Sequence, residues 1–154
     1  MALRNIVQKG DPILNKVCRP VEKFDDKLDQ LINDMAETLY HSGGVGLAAP
    51  QVGILRRVVV IDVGDGLIEL VNPKITAKSG KQYTVEGCLS CPEDWGYTTR
   101  PKNVTVEAYN RKGELKTYKG KDLLAKAFCH ELDHLDGHLF TEIIEERVDP
   151  KDLK

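Results

Sequence analysis

The sequence predicts a single α+β domain in which antiparallel β-sheets pack around a central helix that carries a pair of histidines. Three observations lead there. Apolar residues recur at helical spacing between Asp25 and Ser42, two alternating strand-like segments flank a turn between Val104 and Tyr118, and a second helical pattern runs from about Asp122 to Gly137 through His130 and His134. A chain of 154 residues holds one hydrophobic core and leaves little room for a second, so residues 1–154 are read as one domain ending in a short charged tail, 141–154.

In chain order, Leu28, Leu31, Ile32, Met35 and Leu39 form the apolar stripe of the first helix. Asp25 and Asp26 suit its positive amino end, and Gly43-Gly44 closes it. A glycine-rich segment, Gly43 to Gly53, precedes Arg57-Val58-Val59-Val60-Ile61, whose β-branched run predicts a buried strand. Asp65-Gly66 supplies a turn into a second strand, Leu67 to Val71, which Asn72-Pro73 is expected to stop. Pro92 to Tyr97 reads as loop. Val104–Tyr109 and Glu114–Tyr118, joined through Arg111-Lys112-Gly113, predict an antiparallel hairpin. Asp122 is expected to cap the second helix, which Gly137 ends. The tail from Thr141, with Pro150, is expected to be loosely attached.

Apolar residues at 41% and charged residues at 30% fit a soluble globular chain and exclude a disordered one. A formal net charge of -2 provides no general positive field, so sequence-specific nucleic-acid binding and attraction to an anionic membrane are not expected. No signal-peptide pattern opens the chain, and no apolar run is long enough to span a bilayer, so the protein is expected to stay in the cytoplasm. There, the four cysteines (Cys18, Cys88, Cys91 and Cys129) are expected to be thiols available to metal or catalysis rather than a disulfide framework.

The most specific chemical signal is His130-Glu131-Leu132-Asp133-His134. Residues four apart on a helix lie one turn above each other, so His130 and His134 can direct two imidazoles at one metal ion while Glu131 stays beside it. A metal in such a site lowers the pKa of bound water from roughly 15.7 to about 7, and a neighbouring carboxylate accepts the proton as water attacks a carbonyl. That is hydrolytic chemistry. Read alone, the five residues also fit a charged helix face.

A third ligand has several candidates. A histidine six residues past His134 would mark one protease class, but that position is Phe140. Glu142, Glu145 and Glu146 follow too closely for a second packed helix to return one of them to the site. Cys88 and Cys91 remain, as a redox dithiol, as one ligand plus a bystander, or as part of a closed site of Cys88, Cys91, His130 and His134; the redox reading is disfavoured because the segment after the pair reads as loop rather than as the start of a helix. Spacing disfavours the closed site, because 38 residues separate Cys91 from His130.

Three segments together carry a resemblance: Gly44-Val45-Gly46-Leu47-Ala48-Ala49-Pro50-Gln51, Glu86-Gly87-Cys88-Leu89-Ser90, and His130-Glu131-Leu132-Asp133-His134-Leu135-Asp136-Gly137. In this order they resemble the motifs of the peptide deformylases, and the likeness extends from Gly10-Asp11-Pro12 to Phe140. The resemblance implies that Cys88, His130 and His134 hold one divalent metal ion, ferrous iron natively, with zinc, nickel or cobalt as substitutes. It implies that Glu131 is the general acid and base in hydrolysis of the formyl group of N-formylmethionyl nascent peptides, giving formate and a free amino terminus. The side-chain amide of Gln51 and the backbone N–H of Leu89 are the implied oxyanion donors. The implied setting is the bacterial cytoplasm.

The same likeness places Gly44, Val45, Gly46, Gly87 and Arg100 beside the bound peptide. Gly44 and Gly46 are expected to permit close backbone approach of that peptide. Leu123 and Ala127 continue the helical stripe of the histidines, so they serve as a methionine pocket, as core, or as both. Glu86 is expected either to fix the cysteine loop or to be a solvated carboxylate. Three positions depart from the family: Lys126 stands where an apolar residue is common, Cys129 where glutamine is frequent, and Cys91 is not a family ligand. The chain also ends at Lys154, without the long carboxy-terminal helix of some members, which leaves the ribosome as an open partner.

Overall fold

The first helix forms where its stripe requires, and a computed structural model, describing residues 2–153, shows what each stripe packs against. Helix α1 spans Asp26–Ser42, with the Asp25 side chain accepting from Leu28 N and Gly43 closing the helix at φ 77°. Two residues on, strand β1 (Gly46–Ala48) pairs with β2 (Val58–Ile61), which pairs with β3 (Ile68–Ser79). Beyond β3 lie β6 (Asn103–Tyr109) and β7 (Leu115–Lys121), the expected hairpin, completing an antiparallel sheet in the order β1-β2-β3-β6-β7. Strands β4 (Gln82–Cys88), β5 (Cys91–Arg100) and β8 (Glu146–Arg147) make a second antiparallel sheet.

Strand β2 shows why its sequence is apolar throughout. Val58 and Val60 face the stripe of α1, while Val59 and Ile61 face helix α2, Leu123–Leu135. A strand covered by a helix on each side has no solvent face to make polar. Helix α2 touches both sheets, through β1, β2, β6 and β7 of one and through β5 of the other. A smaller apolar cluster of Leu14, Cys91, Leu139 and Phe140 lies under the second sheet.

Four local expectations are corrected. Strand β3 does not stop at Asn72-Pro73: it runs on to Ser79, with a register shift between Val71 and Lys74. Pro73 sits in that irregularity, where the ladder asks nothing of its missing N–H, and Asn72 takes φ 52° with its side chain bonded to both the N–H and the carbonyl of Val21. Pro92–Tyr97 belongs to β5 rather than to a loop, because Gly96 pairs with Glu86 and Cys91 with Cys88, which leaves Pro92 to Trp95 bulged between them.

Asp122 precedes α2 but does not cap it through its side chain; at φ 54° it reverses the chain from β7 into the helix, and its carbonyl accepts from Lys126 N. The tail is tied down at β8. There Glu145 N donates to the Tyr97 carbonyl, Val148 N to that of Trp95, and Arg147 bonds Asp94 at 2.9 Å.

Candidate metal centre and its cavity

Consecutive turns of α2 bring His130 and His134 together, and the β4–β5 hairpin brings Cys88 to them. The ligand atoms of Cys88, His130 and His134 all lie within 4.8 Å of one another. Cys88 Sγ is 3.4 Å from His134 Nε2. Bonds of about 2.0–2.1 Å to nitrogen and about 2.3 Å to sulfur at a tetrahedral angle would separate such a pair by roughly 3.5 Å, so the donors fit a metal ion. A thiolate with two imidazoles also leaves one position open. Cys91 does not join this group, which removes the closed four-ligand reading of the sequence.

His130 is oriented from behind. Its Nδ1 hydrogen-bonds the Glu86 carboxylate, leaving Nε2 for the site. Glu86 is buried, not solvated, and accepts from Thr98 Oγ1 at 2.7 Å and from Arg100 Nε and Nη2 at 3.1 and 2.8 Å. Burial would raise the Glu86 pKa, but the hydrogen bonds from His130 and Arg100 hold it well below the usual carboxylate range. Arg100 bonds Asp133 as well, at 2.7 Å. Arg100, placed by the sequence beside the peptide, is therefore buried behind the histidine and does not line the cavity.

Glu131 is 4% exposed, and its Oε2 lies 4.0 Å from His130 Nε2. Its Oε1 is buried without a hydrogen-bond partner among the described residues. Burial pushes its pKa up to about 7. Burial also depresses the His134 pKa, to about 3, which keeps that imidazole neutral as a ligand must be.

Gln51 lies in the 3-10 turn Ala49–Val52. Ala48 N donates to its Oε1 at 2.9 Å, which fixes the orientation of the amide, and Nε2 donates to Ser90 Oγ at 3.1 Å and faces Cys88 Sγ at 3.6 Å. The amino-terminal segment ties both motifs in place: Val7 N donates to the Gln51 carbonyl and Lys9 N to that of Ser90, each at 2.7 Å.

These groups open on a cavity of about 460 Å³. Gly44, Val45, Gly46, Gln51, Gly87, Cys88, Leu89, Leu123, Ala127, His130 and Glu131 line it, so one cleft unites nearly every candidate residue. Val45 and Leu123 are 40% and 43% exposed and form its lip; they are not core, whereas Ala127 is buried and serves wall and core together. The glycines also serve the protein's own packing. A Cβ on Gly46 would lie 2.6 Å from Glu131 Oε2, one on Gly44 2.8 Å from Leu89 Cδ1, and one on Gly87 2.3 Å from the Trp95 ring, so neighbouring side chains occupy the space a larger residue would need.

Trp95, Pro92 and Ser90 were not singled out by the sequence, and a tryptophan in a segment read as loop carries no local signal. Lys126 also lines the cleft, but its ammonium is engaged by Thr84 Oγ1 and the Val85 carbonyl at 3.1 and 2.9 Å.

Comparison with known proteins agrees with this geometry. The sequence pattern of the polypeptide deformylase family matches residues 3–149. A peptide deformylase of Acetivibrio thermocellus is 54% identical over 154 residues, 100% of this chain and 91% of its own. Peptide deformylase 2 of Clostridium acetobutylicum is 54% identical over 149 residues, 96% of this chain and 99% of its own. Among solved structures, the peptide deformylase from Thermotoga maritima superposes with a TM-score of 0.90 at 42% identity, covering 93% of this chain and 98% of that one.

Proposed function

Because the chain belongs to the polypeptide deformylase family, we propose that Cys88 Sγ, His130 Nε2 and His134 Nε2 hold one divalent metal ion and that Glu131 carries the proton of the reaction. The reaction is hydrolysis of the N-formyl group of newly synthesised proteins, releasing formate. When bound, the metal acidifies water and polarises the formyl carbonyl.

The remaining roles follow from the chain's own groups. Glu131 accepts the proton of the attacking water on the carboxylate oxygen that lies 4.0 Å from His130 Nε2, and from the same place it returns that proton to the leaving amine. Burial, which favours the protonated form of Glu131, helps it hold that proton between the two steps. The Gln51 amide, already directed toward Cys88, donates Nε2–H to the developing oxyanion, with the Leu89 backbone N–H as second donor. The methionine side chain takes the apolar part of the cleft between Val45, Leu123 and Ala127, and the peptide continues past Gly44, Gly46 and Gly87.

Ferrous iron is the native metal in this reading, supported by the likeness of all three motifs; zinc, nickel or cobalt suit the same donors. The site of action is the bacterial cytoplasm, with the ribosome supplying the substrate; the relatives are bacterial, and no helix among the described residues is long and apolar enough to cross a membrane.

The observation that carries the reading is the convergence of three metal-ligand atoms within 4.8 Å beside an unpartnered buried carboxylate oxygen. Formate release from formyl-Met-Ala-Ser, measured anaerobically with protein loaded in turn with iron, nickel and zinc, tests it. Glu131→Gln is expected to lose roughly 10²–10⁴-fold in rate while retaining metal. Cys88→Ser is expected to lose the metal. Formate release that is absent with every metal, or unchanged in Glu131→Gln, refutes the assignment.

A further inference from the structure

Cys91 has no part in the site described above, yet its partner across the ladder is the ligand cysteine. Cys88 and Cys91 are Cα partners in the β4–β5 ladder, joined by the two-residue turn Leu89-Ser90. Side chains of directly opposed residues project to the same face of a sheet, and here both sulfurs enter the cluster formed with Leu14, Leu139 and Phe140. The Cys91 thiol is 2% exposed, whereas Cys88 is half-buried and lines the cleft. Cys18 and Cys129 pack in the other core, against α2 and the five-stranded sheet.

From this arrangement we infer that Cys91 is the resolving thiol of a reversible disulfide with Cys88, a modification that withdraws the sulfur ligand from the metal and switches the site off. Opposed residues hold their Cβ atoms about 4.5–5.5 Å apart, and a disulfide asks for about 3.5–4.5 Å. The hairpin therefore has to close by roughly 1 Å.

The co-reactant is a peroxide. Entering the cleft, it meets the Cys88 thiolate first; sulfur attacks one peroxide oxygen, the O–O bond breaks, a sulfenic acid forms on Cys88 and hydroxide leaves. The Cys91 thiol then attacks the Cys88 sulfur as its proton passes to the departing hydroxyl. The S–O bond breaks, the S–S bond forms and water leaves. Two electrons leave the sulfur pair and the peroxide is reduced. Because Cys91 is buried against Cys88, it reaches the sulfenic acid without leaving the protein, ahead of a second peroxide molecule that would carry Cys88 on to irreversible acids. A bond that needs the strands to close is also readily reduced by thiols, which restores the ligand. The loss of metal rests on the ligand set proposed above; formation of the disulfide does not.

The experiment treats the metal-loaded enzyme with hydrogen peroxide under anaerobic handling and reads intact mass, the disulfide map, released metal and formate production before and after dithiothreitol and fresh metal. Wild type is expected to lose about 2 Da, to map a Cys88–Cys91 bond, to release metal and to recover activity. Cys91→Ala and Cys91→Ser, two variants in case one packs poorly, are expected to keep their starting activity but to gain oxygen mass on Cys88 and stay inactive after thiol. Wild type that gains oxygen on Cys88 with Cys91 still free, or Cys91 variants that recover as wild type does, overturns the inference. A mapped Cys88–Cys91 bond with metal retained overturns the switch, and it faults the ligand assignment rather than the resolving role of Cys91.

Discussion

The space in which a side chain would stand on Gly46 is filled by the carboxylate of Glu131: a Cβ there would lie 2.6 Å from Oε2 and 2.9 Å from Cγ. Strand β1 and helix α2 are thereby fitted to each other at the one residue whose proton transfers matter. Gly46→Ala is expected to displace Glu131 while leaving Cys88, His130 and His134 in place. Since a shift of about 1 Å in a catalytic group can cost roughly 10²-fold, kcat/KM for a formylated peptide should fall by about that factor. Bound metal, measured by elemental analysis, should be unchanged.

Arg100 neutralises Glu86 in a setting closed to water, with 7% and 3% of the two side chains exposed. Arg100→Met would leave the carboxylate charged and bonded only to His130 and Thr98. Removing one partner of a buried pair costs about 3–5 kcal/mol, so thermal unfolding should move down by roughly 10 °C. Disturbing the group that orients a ligand histidine should also weaken metal binding, by about 10–100-fold. Arg100→Lys, which keeps the charge without the fork, should lie between the two.

The amino-terminal segment is anchored on Asp34, which accepts from Ala2 N at 2.8 Å, Gln30 Nε2 at 2.7 Å and Arg4 Nε at 3.0 Å. Burial would raise the Asp34 pKa, but these hydrogen bonds prevail and hold it below its ordinary 3.8. A depressed carboxylate stabilises the fold above its unfolded pKa, and that stabilisation is lost as pH falls through the folded value. Stability should therefore decline below pH 3.8 more steeply in wild type than in Asp34→Asn, read from urea unfolding at stepped pH. The segment passes from Asp34 to Gln51 and Ser90, so its release should also loosen the cleft.

Metal that binds only the folded state stabilises it by mass action, by about 4 kcal/mol at a thousandfold excess over Kd. Stripping the protein with a chelator should therefore lower the melting temperature by roughly 10 °C, and reloading should restore it. Cys88→Ser should show little chelator effect. A wild-type protein that melts identically with and without chelator would contradict the three-ligand site.

Residues whose structure depends on near neighbours in the chain were legible before any fold was known. The stripe from Leu28 to Leu39, the alternation of Val104 to Tyr118 and the one-turn spacing of His130 and His134 each state their own periodicity, which sets a helix or strand and its buried face. The histidine spacing also marked Glu131, whereas Cys88 and Gln51 were assigned only by the resemblance to the family's motifs. What lay outside the sequence was every feature that required a distant partner. Strand β3 passes Pro73 because Asn72 grips Val21, and Pro92 stays in β5 because a bulge opposite Gly87 spares its missing N–H. Arg100 turned from the cleft to the buried Glu86, the tail was held by β5, and Gly46 made room for Glu131. Hydrogen bonding and burial at those places are set by strands and helices tens of residues away, so only the tertiary structure decided them.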